Sequence, residues 1–189
     1  VGSEMCIRDS LVVVKFMAEG FSRMDGSADD ISIPALVDYL RQAHIYFLDY
    51  CLPAIRRKLI EAIDCSQDDV SFLILKFFDG YMREVRKHME YEEKTVFKYV
   101  DTLIHGNAPK NYQISTFSKH HDQVGERLTE LKNIIIKYCP AKANTNVLNA
   151  ALFDIYACEE GLESHCKVED YLFVPAILKL ERRMRENEK

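Results

Sequence analysis

The sequence lacks three things that would each have pointed elsewhere. No apolar run approaches the ~20 residues that span a bilayer. The longest candidate, FLILKFF at 72–78, is interrupted by Lys76 at helical spacing, so no membrane association is expected. There is no long basic run either, and the net charge is −5, which argues against nucleic acid as a partner. Finally, the six cysteines (Cys6, Cys51, Cys65, Cys139, Cys158, Cys166) contain no CxxC pair and no dense short-range framework. With no secretory signal visible, that pattern predicts free thiols in a reducing cytoplasm. What is present fits one folded domain with a sizeable core: 189 residues, 48% of them apolar and 29% charged.

Residues 1–10, VGSEMCIRDS, resemble the translation of a transposase adaptor used in sequencing libraries, and are set aside from the fold together with Cys6. The natural reading frame is expected to enter near Leu11 and to extend further upstream. Residues 11–25 read as a short apolar helix, the remnant of an upstream domain. Gly26 to Asp30 reads as a linker, because Gly, Ser and Asp cluster there without an apolar anchor. The main domain is expected over 32–189.

Four amphipathic helices follow from the 3.6-residue period. The first starts at Ser32 and Pro34, a capping hydroxyl with proline in the first turn. Its stripe is Val37, Leu40, His44, Phe47 and Cys51, and Pro53 predicts a kink or break. The second spans about 69–103, with Phe78, Tyr81, Val85, His88, Glu92, Val96 and Tyr99 on one face. His105 is read as a solvent-facing residue near its C-terminus. The third spans about 112–138, with Phe117, His121, Val124, Leu128 and Leu131. The fourth spans about 145–184, with Cys158, Leu162, His165, Glu169, Leu172 or Phe173, and Ala176, and a kink expected at Pro175. Short polar turns between long helices predict an all-α fold, an antiparallel up-down four-helix bundle.

The anomaly lies inside those stripes. His88 is followed four residues later by Glu92, and His165 likewise by Glu169. On a helix that spacing stacks both side chains on one face, about 40° apart. His44 precedes His88 by 44 residues and His121 precedes His165 by the same 44, so all three pairs share one offset of 77. A carboxylate amid an apolar stripe must be paired, protonated or bound to a cation. Two hairpins with matching spacing would bring four histidines and two carboxylates to one depth, a dinuclear metal site in the core. Imidazole with bridging carboxylate suits iron, manganese or zinc, and carboxylates between two cations hold them ~3.5–4 Å apart. A set of this kind inside a bundle argues for iron, with zinc and manganese left open. On the third helix His121 is chosen over His120, which lies about 100° off the apolar face. On the fourth, Glu169 is chosen over Asp170, which sits about 140° from His165. Cys51 and Cys158 are read as small buried hydrophobes, and Tyr81, Tyr91 and Tyr99 as packing aromatics.

The distributed pattern His44 … His88-x3-Glu92 … His121 … His165-x3-Glu169 resembles the hemerythrin-like, or HHE, domain over about 32–184. It looks closest to the bacterial di-iron proteins that repair iron–sulfur clusters damaged by nitric oxide or oxidants. The resemblance implies two non-haem irons, oxo- and carboxylate-bridged, with damaged iron–sulfur proteins, oxygen and nitric oxide as partners. It also implies a departure from oxygen carriage: the carrier type has a second histidine four residues from the first on the third helix, and here positions 117 and 125 are Phe and Gly. The alternative is a non-catalytic module that senses or binds oxygen, nitric oxide or iron. Whether the chain is an enzyme stays open.

Overall fold

A computed structural model of the chain describes residues 13–14, 32–63, 69–107, 112–119, 124–138 and 143–187, and no strand occurs among them. The helices form four rods in chain order. The first is α1 (Ile33–Ile45), a π-helical segment (Tyr46–Cys51) and α2 (Leu52–Ala62). The second is α3 (Asp69–Tyr91), a π segment (Glu92–Val96) and α4 (Phe97–Ile104). The third comprises a 3-10 turn (Ile114–Lys119) and α5 (Val124–Lys137). The fourth is α6 (Thr145–Val168), a π segment (Glu169–Phe173) and α7 (Val174–Asn187). The expected helix start at Ser32 is present, its carbonyl accepting the Leu36 amide at 3.0 Å. The second rod ends as expected: His105 is exposed, its ring Nδ1–H donates to the Asp101 carbonyl at 2.8 Å, and Gly106 follows at φ 83.

A kink or break is expected at Pro53 and a kink at Pro175, and neither proline breaks its helix. Pro53 and Pro175 each sit at the second residue of an α-helix that follows a π segment, so the rods continue through them. The wider turn closes with a bond across five residues: Leu52 donates to the Phe47 carbonyl and Val174 to that of Glu169. Proline is tolerated in the first turn after it, where its ring does not meet an intact α-helical ladder. Where a single third helix is expected, the described residues hold a 3-10 turn and then α5, and 120–123 between them lie outside the described residues.

Contacts between rods fix their directions. Arg41 of the first rod meets Glu93 of the second, and Arg56 of the first meets Asp79 of the second. Between the first and fourth rods, Lys58 meets Asp154 while Ala62 accepts the Asn144 amide. Between the second and third, Arg127 meets Glu84 and Tyr112 meets Tyr91. Between the third and fourth, the Ile114 amide meets Glu181 and Lys132 meets Glu159. The first and fourth rods therefore run antiparallel over 52–62 and 144–154, in line with the up-down order expected from the short turns.

The chain groups into two compact units, 1–43 with 90–121 and 164–189, and 44–89 with 122–163, each drawing one stretch from every rod. In the first unit Leu36, Leu40, Val96, Phe97, Val100, Phe117, Phe173 and Ile177 form one buried cluster, which also takes in Val13. The rest of 1–31 lies outside the described residues apart from Val14, as do the adaptor-like segment and the linker. A polar clamp closes this cluster: the buried Glu181 carboxylate accepts from the Tyr99 hydroxyl at 2.5 Å and from the Ile114 amide at 3.0 Å. In the second unit the buried residues include Phe47, Leu52, Ile55, Phe78, Tyr81, Val85, Leu131, Ile155 and Leu162. Its rim carries the Arg56–Asp79 and Lys58–Asp154 pairs. Because two buried donors depend on one carboxylate, Glu181→Ala should lower the unfolding free energy by about 1–3 kcal/mol. Glu181→Gln, which keeps an acceptor, should lose less. Urea denaturation followed by circular dichroism reads both, and an unchanged midpoint in the alanine variant would refute the clamp.

Candidate metal centre

The carboxylates of the second and fourth rods are positioned alike. Glu92 and Glu169 each open a π segment, and their own carbonyls accept the five-residue bonds from Phe97 and Val174. A π turn inserts one residue into the helical repeat, a feature concentrated at functional sites. One turn ahead of each glutamate stands a histidine, His88 near the end of α3 and His165 near the end of α6.

His165 and Glu169 make the predicted i,i+4 approach, 3.5 Å between Nε2 and Oε1. Around them, one ligand atom from each of His44, Glu92, His165 and Glu169 lies within 4.8 Å of the others. His44 belongs to the last turn of α1. All four side chains are closed to solvent: Glu92 and Glu169 are 0% exposed, His44 and His165 3%. Two imidazoles and two carboxylates within such a radius are a donor set for borderline cations such as iron, manganese and zinc, and a positive ion offsets the cost of enclosing the two acids together.

Of the six side chains expected at the metal, these four are brought together. His88 stands outside that group of four, half-buried, with its Nε2 atom enclosed. His121, and its alternative His120, lie outside the described residues. Asp170 is half-buried beside the fully enclosed Glu169.

Burial holds the Glu169 carboxyl well above its ordinary value, and the neighbouring negative charges of Glu92 and then Asp170 push it the same way. Burial likewise pushes the Cys166 thiol up, reinforced by the charges of Glu169, Glu92 and Asp170. Asp170 therefore contributes to the electrostatics of the site, a role that helical angles alone did not suggest. The π turns were also missed. Their signal was the paired apolar residues Val96-Phe97 and Leu172-Phe173, both buried in each pair, where a regular α stripe would select one.

A buried histidine–carboxylate group inside an all-helical, antiparallel four-rod fold defines a cation-binding helical bundle. The family model of the hemerythrin HHE cation-binding domain matches residues 35–177, and the chain belongs to that family. No curated protein and no solved structure matches the chain.

The raised Glu169 value has a sign that can be tested in metal-free protein. The folded state binds that proton more tightly than the unfolded chain, so this carboxyl favours folding most below about pH 4.5, its ordinary value. Stability should then decline as pH rises from there toward the raised folded value. Urea midpoints across a pH series in chelator-treated protein should show the decline, and Glu169→Gln should flatten it. A flat profile in the unsubstituted protein would contradict the electrostatic reading.

Proposed function

We propose that the chain binds two non-haem irons and acts in the cytoplasm in the repair of iron–sulfur centres under nitrosative or oxidative stress. The observation that carries the metal part is the enclosed group of His44, Glu92, His165 and Glu169. Family membership supports a cation at that place. In this reading His44, His88, His121 and His165 supply terminal imidazoles, and Glu92 and Glu169 bridge. The common offset of 77 residues between His44 and His121, His88 and His165, and Glu92 and Glu169 supports one shared ligand set. An oxo-bridged iron pair would supply redox chemistry and open positions for oxygen or nitric oxide.

The protein's own residues have distinct tasks. The glutamates, each opening a π segment, would neutralise the positive charge of a bound cation. The apolar cluster beneath, with Phe97 and Phe173 meeting edge to face at 5.8 Å, keeps water from the carboxylates. Phe117 is fully buried in that cluster, and neither it nor Gly125 is the second histidine that the oxygen-carrying type has on its third helix. One fewer imidazole favours repair or metal delivery over reversible oxygen carriage. Damaged iron–sulfur proteins and small gases are then the partners, and no helix among the described residues is long and apolar enough to cross a membrane.

Metal analysis of the purified chain should find about two irons per chain, as in other bundle-core carboxylate sites, with visible absorption from an oxo bridge. Glu92→Leu should abolish metal uptake yet preserve helicity, because an apolar side chain replaces a buried charge. Retention of both metals in that variant would overturn the bridging assignment. Restored activity of a nitric-oxide-damaged iron–sulfur enzyme supports repair. Reversible gas binding without restoration would instead make the chain a sensing or storage module.

A further inference from the structure

The metal centre leaves one chemically capable group unused. In the second compact unit, Cys51 closes the π segment of the first rod and Cys158 lies on α6 of the fourth. Three observations fix their register. Phe47 packs against Gly161 so closely that a Cβ there would meet the ring at 3.3 Å. On the other side, Lys58 Nζ meets Asp154 Oδ2 at 2.5 Å. Between those contacts, Cys51 and Cys158 face each other across two antiparallel helices, and their side chains are hydrogen-bonded.

The surroundings give the two sulfurs different characters. Cys51 is half-buried and in hydrogen-bonding contact with the Cys158 thiol and the Tyr46 hydroxyl. These bonds hold its thiol below the ordinary value against the opposing effect of burial. Cys158 is buried, and its thiol is pushed far up, first by the bond to Cys51 and then by enclosure. Tyr46 is half exposed, so the Cys51 side of the pair lies near solvent. Neither cysteine is bonded to another in the reduced fold.

We propose that Cys51 and Cys158 form a dithiol–disulfide site that reacts with hydroperoxides, Cys51 as the attacking sulfur and Cys158 as the resolving one. The Cys51 thiolate attacks one oxygen of hydrogen peroxide. The O–O bond breaks, and the departing hydroxide takes a proton to leave as water. Cys51 is then a sulfenic acid. The Cys158 sulfur attacks it, an S–S bond forms, the S–O bond breaks, and the departing hydroxyl takes the Cys158 proton as a second water. Two thiols lose two electrons and the peroxide gains them. The site is independent of the metal reading, since both sulfurs lie two helical turns from the clustered histidines of their rods, Cys51 beyond His44 and Cys158 before His165.

The test treats the chain, with and without prior chelation, with about one equivalent of hydrogen peroxide, the stoichiometry of the two-electron step. Free thiols are then alkylated and the peptides mapped by mass spectrometry. A Cys51–Cys158 cross-linked peptide, lighter by two hydrogens and lost on dithiothreitol treatment, is expected in both preparations, with two alkylatable thiols lost per chain. In Cys158→Ala, dimedone should label Cys51 instead. The proposal is overturned if both cysteines stay alkylatable while others oxidise, if either pairs with Cys65 or Cys139, if the cross-link needs bound metal, or if Cys51 in Cys158→Ala takes no dimedone.

Discussion

Two carboxylates closed off from water beside one another constrain everything else in this molecule. Glu92 and Glu169 come from different rods, and neither retains solvent access. Such a pair is costly in an apolar interior. The fold accepts it because two imidazoles stand within reach and the four groups together suit a cation. The surrounding hydrophobic cluster contributes stability, but it also sets the electrostatic stakes by excluding water. Membership of the hemerythrin HHE cation-binding family fits that arrangement.

The helical period alone exposed much of this. His44, His165, Glu92 and Glu169 stood out because each interrupts an apolar stripe, and periodicity places such residues in the interior. The antiparallel order followed from long helices joined by short turns. What periodicity hid was the change of period itself. A π turn shifts every later residue around the axis, so Phe97 and Val100 take core positions that an unbroken α stripe through Glu92 does not select. The same effect bears on Pro53 and Pro175: a proline rule written for α-helices forecasts a kink or a break, and with the wider turn before each proline the helix runs on unbroken.

The sulfur pair illustrates a different gap. Taken singly, each cysteine reads as a small buried hydrophobe. Their relation needs the pairing of rods, because Cys51 lies seven residues beyond His44 on one rod and Cys158 seven before His165 on its antiparallel neighbour. Once those histidines are known to meet, the two cysteines must share a level. No stripe on a single helix carries that information.

The placement of the prolines has a consequence for motion. A wide turn can migrate along a helix by exchanging one backbone hydrogen bond for the next, and a residue without an amide hydrogen blocks its advance. Pro53 and Pro175, which have no amide hydrogen, cannot donate the next such bond on the first and fourth rods. At the matching place on the second rod stands Lys98, which keeps its amide hydrogen. Of the two acids, only Glu169 is thus followed by a residue that cannot take part in such an exchange.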